Sequence, residues 1–98
     1  MREGAYQNYL IRTIKKMFPG CVVLKNDTDY QQGVPDLLVL YNGDWAMLEV
    51  KVSEKSPEQP NQHYWVQKFN DMSYAAFIYP AVEELVLNDL QLLFTSER

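Results

Sequence analysis

GVPDLLVLYNGDWAMLEVK, Gly33 to Lys51, decides how this chain folds. Two apolar runs flank Asn42-Gly43, and an Asn-Gly pair between such runs is the strongest short-range signal for a two-residue hairpin turn. Strands are expected near 35–41 and 44–52. With Asn42 and Gly43 at the centre, Tyr41 faces Asp44. Stepping outward, Leu37 comes opposite Leu48 and Asp36 opposite Glu49. Facing side chains project from the same side of a sheet, roughly 4.5–5.5 Å apart at Cβ. Lys51 shares that side, because strand side chains alternate with period two. The register therefore predicts Asp36, Glu49 and Lys51 in one cluster at the far end of the hairpin. A slip of one residue would scatter them.

Two facing carboxylates destabilise a sheet, more so where water is partly excluded. Their neighbours on that face, Leu38, Leu40, Trp45 and Met47, are apolar. Leu37, Val39, Leu48 and Val50 make the opposite face apolar too, as expected when helices cover both sides. A divalent cation between Asp36 and Glu49 would remove the repulsion, and Mg²⁺ suits hard oxygen ligands while keeping several waters. The plainer reading is a pair of solvated strand-end carboxylates with Lys51 as ion-pair partner. The turn geometry and the preceding Gly33-Val34-Pro35 favour a site over it.

Working outward, Tyr6, Leu10, Ile14 and Met17 recur at helical spacing in REGAYQNYLIRTIKKMF, and Pro19-Gly20 ends that helix. CVVLK reads as a short strand and Asn26 to Gln32 as a loop. After the Pro-rich loop SEKSPEQPN, a second helix is expected from about Gln59 to Met72, with Pro60 in its first turn. AAFIY reads as a strand. AVEELVLNDLQLLF reads as a third helix, or a helix followed by a short strand. This order predicts an α/β domain with a mixed sheet of about four strands flanked by helices.

The 98 residues make one domain, with 47% apolar and 13% aromatic residues, ample for a folded core. One cysteine, Cys21, rules out an intrachain disulfide framework, and no Cys/His cluster suggests structural zinc. No apolar run reaches the roughly 18–20 residues of a membrane span. No signal-peptide pattern opens the chain, so the expected location is the cytoplasm. A net charge of −4 argues against a protein that coats nucleic acid through a basic surface. It is compatible with a carboxylate site whose cation is absent from the formal count.

GVPDLLVLYNG…MLEVK resembles the PD-(D/E)xK nuclease superfamily, and the fuller pattern resembles its VRR-NUC branch, the virus-type replication and repair nucleases. Four parts carry the resemblance in order: Glu3 on the first helix, Gly33-Val34-Pro35-Asp36, Glu49-Val50-Lys51, and Gln62 three residues before Trp65. The resemblance spans residues 1–98 as one domain and implies a restriction-endonuclease-like fold. It also implies a Mg²⁺- or Mn²⁺-dependent endonuclease that hydrolyses DNA phosphodiester bonds. Asp36 and Glu49 would ligate the metal, with the Val50 backbone carbonyl a further ligand and Glu3 reaching it through a water. Lys51 would orient or help deprotonate the attacking water and offset phosphate charge. Gln62 would lie near Lys51 and the scissile phosphate. Short members of the branch often work as homodimers on branched DNA, including four-way junctions. The alternative is a catalytically silent nucleic-acid-binding module with the same fold.

Other residues have ordinary explanations beside the functional ones. Glu3 is also a favourable partner for a helix N-terminus. His63, the single histidine, lies about 100° around a helix from Gln62 and is expected at the surface. Cys21 reads as a small core residue. Lys15, Lys16, Lys25, Lys55 and Lys68 are candidate DNA-phosphate contacts, although scattered lysines usually form a solvated surface.

Overall fold

Asn42 and Gly43 both adopt positive φ, 52° and 80°, as a type I′ turn requires of its two central residues. The structure, a computed structural model, describes residues 2–96. Strands β2 (Leu37–Tyr41) and β3 (Asp44–Val50) pair antiparallel in the expected register, from Tyr41 opposite Asp44 to Leu37 opposite Leu48. Strand β1 (Val22–Lys25) adds antiparallel to the other edge of β2. Helix α2 (Gln62–Met72) is the crossover that lets β4 (Tyr74–Ile78) run parallel to β3. The sheet order is β1-β2-β3-β4, framed by α1 (Glu3–Met17) and α3 (Glu83–Thr95). This is the α/β, restriction-endonuclease-like mixed sheet that the sequence predicts.

The ladder is shorter than expected at its open end, and Pro35 explains why. Proline has no N–H to give a ladder. The next ladder step would send the Val50 N–H to the Pro35 carbonyl. That carbonyl instead accepts from Asn26 Nδ2 at 2.8 Å, and the Val50 N–H donates to Asp36 Oδ2 at 2.9 Å. Asp36 therefore lies just outside β2, turned back against β3, rather than in a ladder pair with Glu49. Helix α2 also starts later than expected, at Gln62. Pro60 precedes it, and Asn61 takes a left-handed conformation (φ 72°) at the N-cap. The last segment is a single helix after a short 3₁₀ turn, Pro80–Val82, with no strand.

The core lies between the sheet and the pair α1/α3. Tyr6, Leu10, Ile14 and Phe18 meet Val86, Leu87, Leu90 and Phe94 over Leu37, Val39, Leu48, Val50 and Ile78, all buried. Each such side chain contributes roughly 1.5–3 kcal/mol by leaving water. Phe94 packs edge-to-face with Phe18 and Tyr41, centroids 5.1 and 5.8 Å apart, and Phe18 and Tyr41 meet at a 50° tilt, 5.5 Å apart. Helices lie on both sides of the sheet, as expected, but the opposite face is covered only in part. Helix α2 lies on β3 and β4, where Trp45 packs edge-on against Phe69. Val22, Leu24 and Leu40 on the outer strands stay 37–49% exposed. No described helix is long and apolar enough to cross a membrane.

Candidate active site

Four elements or their flanks converge at the open end of the hairpin. Asp36 precedes β2, Glu49 is the penultimate residue of β3, and Lys51 follows β3 with its N–H on the Ile78 carbonyl at 2.9 Å. Gln62 opens α2 from one face of the sheet, and Glu3 opens α1 from the other. All five side chains line one cavity of about 630 Å³. The cluster derived from the hairpin register thus forms, although Asp36 reaches it from a kinked strand end.

Glu49 and Lys51 are both buried, with side chains 3% and 8% exposed and Nζ 3.7 Å from Oε2. Burial of charged groups is costly unless they are paired and hydrogen-bonded, and Gln62 supplies most of the bonding. Its Nε2 donates to Glu49 Oε2 at 3.0 Å, while its Oε1 accepts from Lys51 Nζ at 2.8 Å and from the Gln59 N–H at 2.9 Å. The Pro57 carbonyl takes a second Lys51 donor at 2.9 Å. Glu49 Oε1 has no hydrogen-bond partner although it is buried.

Burial pushes the Glu49 carboxyl up from its ordinary 4.5 to about 8. The negative charge of Asp36 adds to the rise, Lys51 opposes it, and Glu3 contributes a further upward push. Asp36 is also placed to share a hydrogen bond with Glu49 when one of the two holds a proton. The site therefore holds more negative charge than its one buried ammonium balances. It answers with a retained proton, or with a cation.

A hard divalent cation fits this donor set. Among the described residues, no three His, Cys, Asp or Glu side chains form a ready-made cage. Mg²⁺, however, is usually bound through one or two carboxylates, with waters and substrate phosphate completing its octahedron. Asp36 and the orphaned Oε1 of Glu49 supply that minimum beside an open cavity. The Val50 side chain lies in the core and its N–H on Asp36.

The five lysines named as phosphate contacts do not join the site. Lys15 and Lys16 are exposed on the last turn of α1, Lys25 at the end of β1, Lys55 in the Pro-rich loop and Lys68 on α2; none lines this cavity. The cavity instead includes Arg2, which the sequence reading passed over. Its signal was its place beside Glu3 at a helix start. The Pro57 carbonyl was invisible as well, because a backbone acceptor leaves no mark in residue type. His63 is exposed, as expected, and lies 3.7 Å from Glu58. Cys21 is half-buried against the core, and burial pushes its thiol up.

Comparison with protein-family models, with curated proteins and with solved structures found no match to this chain.

Proposed function

We propose that this chain is a Mg²⁺- or Mn²⁺-dependent endonuclease of the VRR-NUC type that hydrolyses DNA phosphodiester bonds. The observation that carries the reading is Glu49 Oε1, a buried acceptor without a donor, beside Asp36 in an open cavity that also holds Lys51. A site built only for stability would pair that oxygen, since an unsatisfied buried polar group costs about 1–3 kcal/mol. Asp36 and Glu49 would hold the cation, with the Val50 carbonyl and, through a water, Glu3. A bound cation supplies a Lewis acid for the phosphoryl oxygen and a lowered pKa for the attacking water.

The remaining work falls to the chain's own side chains. Two of the three Lys51 ammonium donors are committed, to Gln62 and Pro57. The charge is thereby held in place beside Glu49, where it favours developing negative charge on a phosphate oxygen. Gln62 positions both Lys51 and Glu49 through one amide. Arg2, on the cavity wall, adds a second cation for the substrate backbone. We further propose a homodimer acting on branched DNA such as four-way junctions, on the strength of the resemblance. Two copies would bring two such cavities to one branch point.

The test is incubation of the protein with labelled linear, flap and four-way-junction DNA, with and without Mg²⁺ or Mn²⁺. The expected result is cation-dependent cleavage, with Asp36→Ala, Glu49→Gln and Lys51→Ala each slower by about 100-fold or more. Absence of cleavage in every condition, or equal cleavage by Asp36→Ala, would sink the enzyme reading. DNA binding that ignores the cation and survives Glu49→Gln would point to the silent module instead. Sedimentation of the purified chain reads the oligomeric state directly.

A further inference from the structure

We infer that a second cavity, on the other side of Lys51, is a stacking subsite for the base of an unpaired nucleotide flanking the scissile phosphate. The inference rests on the nuclease reading and deepens it. This cavity, of about 400 Å³, shares Lys51 and Ser56 with the carboxylate cavity, so one bound strand could pass from one to the other. Its volume falls within the roughly 300–1,000 Å³ of small-ligand clefts.

Three aromatic side chains line it: Phe77 of β4, Tyr79 just beyond, and His63 in the first turn of α2. Phe77 is the ladder partner of Glu49 in the parallel β3–β4 pair, so the two backbones stand about one strand spacing apart, roughly 4.8 Å, and both side chains leave the same side of the sheet. The His63 ring lies nearly parallel to the Phe77 ring, at 29° with centroids 6.1 Å apart. Together they make a continuous aromatic step next to the reacting centre.

Charge decides what can rest on that step. Glu54 and Glu58 also line the cavity, Glu58 is engaged with His63, and the Lys51 ammonium is already held by Gln62 and Pro57. Two carboxylates there repel a second phosphate. They accept hydrogen bonds from the amino groups of a base. A neutral planar ring with donor edges fits, and base–aromatic stacking is the usual attraction for single-stranded nucleic acid. Within a continuous duplex both faces of a base are already stacked and its edge is paired. Only an unpaired nucleotide can present its face here without a cost for unstacking.

The experiment measures binding of the 98-residue chain to fluorescently labelled flap DNA by anisotropy, in EDTA so that no strand is cut. An abasic nucleotide is walked through the unpaired positions, which removes one base and keeps every phosphate. Wild-type protein should lose about 10-fold in affinity at one position. In Phe77→Ala and in His63→Ala that penalty should shrink to about 3-fold or less. His63 is 81% exposed, so its removal spares the fold if Phe77→Ala does not. A penalty of equal size in wild type and His63→Ala, or no penalty at any position, overturns the subsite. Cleavage with Mg²⁺ or Mn²⁺ is read separately. A chain that keeps the base penalty but cuts nothing overturns the nuclease reading alone, and one that cuts without the penalty overturns only this subsite.

Discussion

Glu49 is a carboxyl whose proton affinity rises on folding, and the sign of its effect on stability follows. The unfolded chain ionises it through about 4.5, while burial and the Asp36 charge keep it protonated in the native state up to about 8. Between those values the native state binds more protons than the unfolded one, so stability falls with rising pH. The contribution is complete below about 4.5 and is lost as pH climbs to about 8. Cation-free protein should therefore melt at progressively lower temperature from pH 5 to pH 8.5, and Glu49→Gln should flatten that decline. Thermal melts across pH check it, and equal slopes in both proteins would contradict the assignment. Gln62 offers a second test at this scale, because its amide donates to Glu49 and accepts from Lys51. Gln62→Glu has no donor to give Glu49 when ionised and adds a fourth carboxylate to Glu3, Asp36 and Glu49. It should lower the melting temperature most at high pH, where both acids are ionised. Cleavage by Gln62→Glu should fall by about 10-fold or more, as for loss of a supporting partner around a metal site.

At the scale of elements, the loops on either side of the site hold each other. Gly33 (φ 86°) sits so close to the Pro60–Asn61 backbone that an added Cβ would lie 2.6 Å from the Pro60 carbonyl oxygen and 2.7 Å from the Asn61 carbonyl carbon. Gly33→Ala combines a strained backbone with a clash against main chain. It should cost about 2 kcal/mol or more, which is a drop of roughly 8–16 °C in a domain this small. Because Asn61 immediately precedes Gln62, cleavage should fall even at temperatures where the variant remains folded. A melt within about 2 °C of wild type would mean the loops yield easily. The hairpin register was legible because Asn42-Gly43 demands one turn type and the apolar runs demand one phase. Its end was not. Whether a ladder continues past Pro35 depends on where Asn26 and Asp36 send their polar groups, and those partners are remote in sequence. The start of α2 was misplaced for a related reason: the contact with Gly33 holds Pro60 and Asn61 in a turn, which no local helix signal records. The whole of the second sheet face was expected to be covered because its residues are apolar, yet α2 lies on only two of the four strands.

Across the whole molecule, the site is the place where the three layers meet. Glu3 comes from one helical layer, Gln62 from the other, and Asp36, Glu49 and Lys51 from the sheet between them. The carboxylate pair was legible from sequence because one hairpin contains both. The lysines were not, since the sheet and helix faces that scatter them are set by tertiary packing. Since ligation requires Asp36 and Glu49 together, a cation that binds them binds the folded chain and not the unfolded one. It must then stabilise the whole domain, by about 2.7 kcal/mol at a free concentration 100 times the dissociation constant. For a domain of this size that corresponds to a melting temperature higher by roughly 10–20 °C. The gain should grow from pH 5 to pH 8, because ligation requires the ionised carboxyl that the metal-free site resists forming. Asp36→Asn and Glu49→Gln should each abolish most of the shift while Lys68→Ala, remote from the cavity, leaves it intact. Melts titrated with Mg²⁺ and Mn²⁺ at fixed ionic strength separate this from general screening. A shift of the same size in Asp36→Asn would show that the cation binds elsewhere.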